Sequence, residues 1–565
     1  VRFFFKSFSA LVLNGLNREK GVQLKLEVPE INVVRKDFRK VDIRFALAYP
    51  SGYQVAMSCL GFHTLYEMLN TRPDVACERV FSSVSTPLSV ESGQPLVNFD
   101  IVGFSLQFET DYTNVLRMIS NAGIPLRSNK RGADHPLIIA GGPCVLENPE
   151  PLSEYIDLFI VGEAEPVLDE LLDVYIEGNL SRSNLEALSE LPGVYVPGYS
   201  KEPVKRVWCK ILEEAYRPVT QVVPQVEDGD PHMPVFGRSL LLEISRGCEW
   251  GCRFCLIGYT GRPMRSLSVK TALSTIEEGV ERTGVRKVTL IAPSLSGYRD
   301  LVELCWSIVN SGLELSVSSL RVDCVSEELL DALAEGGTRT VTLAPEAGTQ
   351  RLREVVNKSF GDDEIFSAAE MIQEKLQNIK MYFILGLPTE TMEDVEGIVS
   401  LAERIGSLGF PSRGVRLSIN PFVPKPHTPF MWEPQPAVGY VRKCRNLISS
   451  RLKRNPRISV EGFDPRWGAI EALLSLGDRS VGRAIELASN YGGGLGAWRR
   501  ALKEAEIIIG EIVGVERDPD AVYPWDTVDV GVSKEFLLAE REKAYRGETS
   551  PPCSIKCSKC GLGCN

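Results

Sequence analysis

The stretch Arg246-Gly247-Cys248-Glu249-Trp250-Gly251-Cys252-Arg253-Phe254-Cys255 decides how the rest of the chain is read. It follows the apolar run Leu240-Leu241-Leu242-Glu243-Ile244, which has the composition of a buried strand, and its two glycines call for a tight loop. The loop carries three thiols at C-x3-C-x2-C spacing. Three thiolates can ligate three irons of a cubic iron–sulfur cluster and leave the fourth iron open to a substrate or cosubstrate. The plain alternatives are a zinc knuckle short of one ligand, or three unrelated core cysteines. Recurrence of the same strand–loop grammar downstream favours the cluster.

Working outward, 565 residues exceed what one core supports and predict three or four domains. Hydrophobic content of 44% and charged content of 24% are those of a globular protein. No run of eighteen apolar residues occurs, so no stable membrane insertion is expected. The runs Val1–Lys6 and Leu11–Leu16 are too interrupted by Lys, Ser and Asn for a secretion signal, and a cytoplasmic location is expected. A net charge of −11 argues against general binding to a phosphate backbone. The basic residues between Arg442 and Arg457 read as a solvated helix face. Seven of the fourteen cysteines fall in two clusters. The other seven (Cys59, Cys77, Cys144, Cys209, Cys305, Cys324, Cys444) read as small core residues.

Before residue 235, strand-like runs alternate with helical patterns: Val41–Tyr49, Arg79–Phe81, Phe99–Phe104, Leu137–Ala140 and Leu158–Val161. That alternation predicts a doubly wound, Rossmann-like parallel sheet, with ligands at the strand carboxyl ends. The turns there are Ser105-Leu106-Gln107, Gly141-Gly142-Pro143 and Gly162-Glu163-Ala164-Glu165. His63 reads as a packing residue. From Leu240 the alternation restarts with six strand candidates, ending at Arg416–Ile419, and predicts a partial (β/α)6 barrel with the cysteine loop on its functional face. Beyond 435 the pattern is mainly helical, with a glycine-rich hinge at Tyr491–Gly496. The chain closes on Cys553-x3-Cys557-x2-Cys560-x3-Cys564, four thiols suited to a second iron–sulfur cluster or to zinc. The expected division is an N-terminal extension (1–37), the sheet domain (38–235), the barrel (236–435), a helical region (436–545) and the tail (546–565).

Taken together, these motifs resemble the radical S-adenosylmethionine (SAM) superfamily. Phe254 before the third cysteine matches its C-x3-C-x-aromatic-C pattern, and Gly386-Leu387-Pro388 matches a turn whose backbone lies near adenine. The strand-end turns before residue 165 look like the cobalamin-binding domain of one class of these proteins. The resemblance implies a [4Fe-4S] cluster on Cys248, Cys252 and Cys255, and SAM against Phe254, Ser294, Glu346, Gly386, Leu387 and Pro388. Ser294 stands in Ala292-Pro293-Ser294-Leu295-Ser296, where the family usually has Gly-Gly-Glu. Cobalamin would lie against Ser105, Gln107, Gly141, Gly142, Gly162 and Glu163, with no Asp-x-His-x-x-Gly motif to ligate cobalt. Arg321, Asp323 and Glu346 are the polar residues expected to face the cavity, Arg321 and Glu346 with catalytic roles. His427 reads as a loop residue.

The implied activity is reductive cleavage of SAM to a 5′-deoxyadenosyl radical, used for cobalamin-dependent methylation of an unactivated carbon in RNA, a peptide or a lipid. A reductant such as ferredoxin or flavodoxin is implied as partner. Two other readings stand: a sulfur or methylthio transferase using the tail cluster, and a non-catalytic iron–sulfur scaffold.

Overall fold

The computed structural model describes residues 26–82, 86–180, 182–201 and 203–564; most of the expected N-terminal extension, 1–25, lies outside them. The N-terminal sheet has six strands: β1 (Ile43–Tyr49), β2 (Val75–Phe81), β3 (Ile101–Ser105), β4 (Leu137–Gly141), β5 (Leu158–Ile160) and β6 (Val194–Tyr195). Their order across the sheet is β2-β1-β3-β4-β5-β6, parallel except for β6. Residues of β1 to β5 are buried almost throughout, as parallel strands covered on both faces require. The order reverses between β1 and β3, so a crevice opens at their carboxyl ends. The short antiparallel β6 was not expected.

The second parallel array comprises β7 (Leu240–Glu243), β8 (Lys287–Ile291) and β9 (Glu314–Val317), then β10 (Thr340–Glu346), β11 (Asn378–Leu385), β12 (Val415–Pro421) and β13 (Ile458–Glu461). A single parallel bridge, Leu320 to Leu343, joins the two groups around the curve. The doubly wound sheet and the open barrel are therefore both present, and the barrel carries a seventh strand, β13, beyond the six expected. The basic run before it obscures that strand in sequence. The helix Val438–Leu452 presents Arg442 and Lys443 to solvent and buries Val441, Cys444, Ile448 and Leu452.

Helices Pro465–Leu476, Val481–Asn490 and Leu495–Glu504 share one core with the N-terminal sheet. Asn148 Nδ2 donates to the carbonyls of Ser475 (3.0 Å) and Gly477 (2.8 Å), and Ser489 Oγ donates to Thr113 O (2.8 Å). Gly492 and Gly493, both left-handed, make the turn between the last two helices. At the centre of the three parts, Lys425 Nζ lies 2.7 Å from Glu109, 3.2 Å from Glu147 and 3.0 Å from Glu471, all buried. Removing one partner of such a buried pair costs about 3–5 kcal/mol. No helix among the described residues is long and apolar enough to cross a membrane.

Candidate functional site

The carboxyl ends of the two sheets face each other across one cavity of about 540 Å³. The barrel wall brings together Cys248, Cys252, Cys255, Phe254, Ser294, Arg321 and Glu346. The opposite wall brings together Ser105, Gln107, Gly141, Gly142, Gly162 and Glu163.

The cysteine loop leaves β7 through Gly247, whose φ is +80° and whose added Cβ would stand 2.1 Å from Gly261 O. Only glycine makes that turn. Trp250 is fixed within the loop: its Nε1 donates to Ser296 Oγ at 3.0 Å, Ser296 meets Ser294 Oγ at 2.9 Å, and the Arg321 guanidinium lies 3.5 Å over its ring. Phe254 packs with Leu387, Ile384, Phe422 and Phe430. Burial pushes the Cys248 and Cys255 thiols up, and neighbouring Cys252 adds to it for both, so thiolates here need a positive centre beside them. Among the described residues, the group of three metal-ligating atoms within 4.8 Å of one another is Glu163, Glu165 and Cys209. Cys248, Cys252 and Cys255 do not form such a group.

Glu346 ends β10 at a break in register and holds φ +66°, a conformation costly for a residue with a side chain. Its Oε1 accepts from Lys358 Nζ at 3.1 Å, and its buried Oε2 has no hydrogen-bond partner. Arg321 pairs with Asp323 at 3.0 Å and leaves Nη1 without a hydrogen-bond partner. A buried carboxylate oxygen and a guanidinium nitrogen with bonding capacity to spare suit the ammonium and carboxylate of an amino-acid cosubstrate. Asp323, expected to face the cavity, braces Arg321 and is not part of the lining. Nor are Gly386, Leu387 and Pro388: Leu387 packs behind Phe254, and Gly386 N donates to Glu390 Oε1 at 2.8 Å.

On the opposite wall Gly142 (φ +114°) and Gly162 (φ +117°) turn sharply, and a Cβ would stand 2.5 Å from Leu106 O and 2.1 Å from Val207 O respectively. Gly61 keeps that wall flat, since a Cβ there would project into open space. Phe45, Leu47, Leu60, Leu65, Leu69 and Ile139 complete an apolar face. Glu163 is tied to the barrel instead of facing a ligand freely. Its carboxylate meets Arg246 (2.7 Å) and Arg265 (2.9 Å) and accepts from Cys209 N (2.8 Å). Burial opposes its ionisation, but the two arginines hold its carboxyl below the usual range. With those guanidiniums in place, the Glu163–Glu165–Cys209 group is an ion-pair knot and not a metal site.

Two cysteines read as core residues sit elsewhere: Cys59 lines the cavity and Cys209 belongs to this knot. Cys77, Cys144, Cys305 and Cys444 are buried. His63 is a packing residue, bonded to Met57 O at 3.0 Å, with burial lowering its pKa to about 4. Sequence reasoning missed Lys358 and Tyr382 as lining residues; neither stands in a recognisable motif.

Residues 61–197 match the family model for the N-terminal region of radical SAM proteins, and residues 242–402 match that of the radical SAM superfamily. An uncharacterised protein of Methanocaldococcus jannaschii is 33% identical, over 79% of this chain and 91% of its own length. An uncharacterised methyltransferase of Pyrococcus horikoshii is 22% identical, over 64% of this chain and 81% of its own. Among solved structures, the radical SAM methyltransferase TsrM of Kitasatospora setae, with cobalamin and a [4Fe-4S] cluster bound, aligns with a TM-score of 0.46 at 13% identity. That alignment covers 82% of this chain and 99% of TsrM. With the cysteine loop, the strand-end cavity and both family matches in agreement, this chain belongs to the radical SAM superfamily, whose enzymes use a [4Fe-4S] cluster and SAM.

Proposed function

We propose that the chain is a cobalamin-dependent radical methyltransferase acting on an unactivated carbon of a large or apolar substrate. The observation that carries this reading is the single cavity with a three-cysteine wall on one side and a flat, glycine-turned apolar wall on the other. When bound, a [4Fe-4S] cluster with one open iron supplies the electron that cleaves the sulfonium of SAM to a 5′-deoxyadenosyl radical.

Cys248, Cys252 and Cys255 would hold three irons. Glu346 Oε2 would take the ammonium of the cosubstrate and Arg321 Nη1 its carboxylate, while Lys358 fixes the other Glu346 oxygen. Trp250 and Phe254 hold the loop in shape from both sides, and Leu387 supports the adenine side through Phe254. The apolar wall excludes water, which protects a reactive carbon radical from quenching. Cobalamin would lie over Gly61, Gly141 and Gly142, near Ser105 and Gln107. No histidine is among the lining residues, so its cobalt would have no imidazole from this cavity.

The test is anaerobic reconstitution with iron, sulfide, hydroxocobalamin, SAM and dithionite. Release of 5′-deoxyadenosine together with corrinoid absorbance that survives gel filtration supports the proposal. Deoxyadenosine without retained corrinoid removes the methyl-transfer half of it.

A further inference from the structure

The four-cysteine tail is folded against the chain and is not a loose end. Cys553 N donates to Glu249 O at 3.0 Å, Arg262 Nη1 donates to Ser558 Oγ at 3.0 Å, and Ser533 N donates to Cys560 O at 2.8 Å. Ser554 Oγ also bonds the Glu249 carboxylate. Lys559, Gly561 and Gly563 are left-handed, which turns the tail sharply through its last residues. A Cβ on Gly561 would press on Gly531 O and Ser533 N, both at 3.1 Å.

Two of these anchors, Glu249 and Arg262, belong to the radical loop region. Glu249 follows Cys248 directly, so the covalent and hydrogen-bonded path from Cys553 to Cys248 crosses one N–H···O bond. Arg262 Nε donates to Gly258 O at 2.6 Å, and Gly258 N donates to Cys255 O at 3.1 Å, giving a second path. None of the tail cysteines lines the cavity; Cys557 and Cys564 are exposed. The tail thus touches solvent on one side and the back of the cysteine loop on the other.

The tail offers four thiols, a donor set that a four-thiolate cluster can use. Cys553 and Cys564 each lie near Cys560, and Arg262 and Arg206 place positive charge beside them, which suits a four-thiolate cluster of net negative charge.

We infer that Cys553, Cys557, Cys560 and Cys564 bind a second iron–sulfur cluster through which electrons enter the loop site from a one-electron protein carrier of the iron–sulfur or flavin class. The carrier loses one electron, the tail site accepts it and passes it on, and the loop site is reduced by one; no bond or proton is exchanged in the relay. The relay rests on the radical reading of the loop, whereas the tail cluster does not.

The experiment uses full-length protein reconstituted anaerobically with iron and sulfide. About eight irons per chain are expected in the wild type and about four in a variant with Cys248, Cys252 and Cys255 all replaced by Ala, the remaining cluster giving a paramagnetic signal on reduction. One zinc with about four irons in the wild type overturns the tail cluster. Should the triple variant not fold, Cys557→Ser with Cys564→Ser reads the same count, because both side chains are exposed. That double variant is expected to form deoxyadenosine at the wild-type rate with dithionite but at least an order of magnitude more slowly with flavodoxin and its reductase. Equal rates with flavodoxin overturn the relay, while loss of activity with dithionite as well assigns the tail to the chemistry itself and also overturns it.

Discussion

The two walls of the cavity are built on opposite plans. The barrel wall is ionic: three thiols, Glu346, Lys358 and Arg321, with left-handed strain at Glu346. The sheet wall is mostly glycine turns and apolar side chains, and its carboxylates Glu163 and Glu165 are committed across the gap, Glu163 to Arg246 and Arg265 and Glu165 to Arg246. One side is equipped to hold charge in fixed positions, the other to lie flat against a broad apolar ligand and keep water away. Arg246 stands two residues before Cys248, so the knot that joins the walls also sets where the cysteine loop begins.

The largest expected effect comes from breaking the ionic wall at its centre. Cys252→Ala abolishes deoxyadenosine release and lowers the iron content by about four per chain, read by metal analysis beside the activity assay. Next is Glu346→Gln, which keeps the shape of the side chain and removes its charge. A hydrogen bond to a charged group contributes about 1.5–3 kcal/mol, so SAM binding weakens by roughly tenfold to a hundredfold in equilibrium dialysis, with iron unchanged. Retained affinity would show that Glu346 Oε2 serves some other group.

The sheet wall breaks differently. Gly142→Ala forces a side chain onto a φ of +114° and onto Leu106 O, costing about 1–3 kcal/mol of stability. Its melting temperature falls and corrinoid retention is lost, while deoxyadenosine release continues; loss of both together would deny that the walls act separately.

The smallest effect lies behind the barrel wall. Burial raises the Glu390 carboxyl from 4.5 to about 7, although Tyr440 OH and Gly386 N both donate to it. The folded state therefore holds this proton more tightly than the unfolded state. Its contribution is complete below pH 4.5 and is lost as pH rises through about 7. Glu390→Gln flattens that part of the stability profile in thermal melts across this range; an unchanged slope would assign the pH dependence elsewhere.

What could be read from sequence was local. Thiol spacing is a property of ten residues, and apolar strand-like runs alternating with helical patterns located both sheets, because parallel strands buried on two faces are continuous apolar runs. What could not be read depends on distant partners. Lys358 acquires its role only once β10 turns Glu346 back toward it. Glu163 looks like a ligand contact until the barrel brings Arg246 and Arg265 to it. The tail meets Glu249 only after some three hundred residues have folded between them. The Gly386–Pro388 turn is not among the residues lining the cavity, and Leu387 shares a buried apolar cluster with Phe254.

The most direct test of the open iron corner is low-temperature electron paramagnetic resonance of the dithionite-reduced Cys557→Ser/Cys564→Ser protein, recorded with and without SAM. A cubane signal whose g-values shift when SAM is added is the predicted result. A signal indifferent to SAM would mean that the fourth iron is already capped, and would contradict the account.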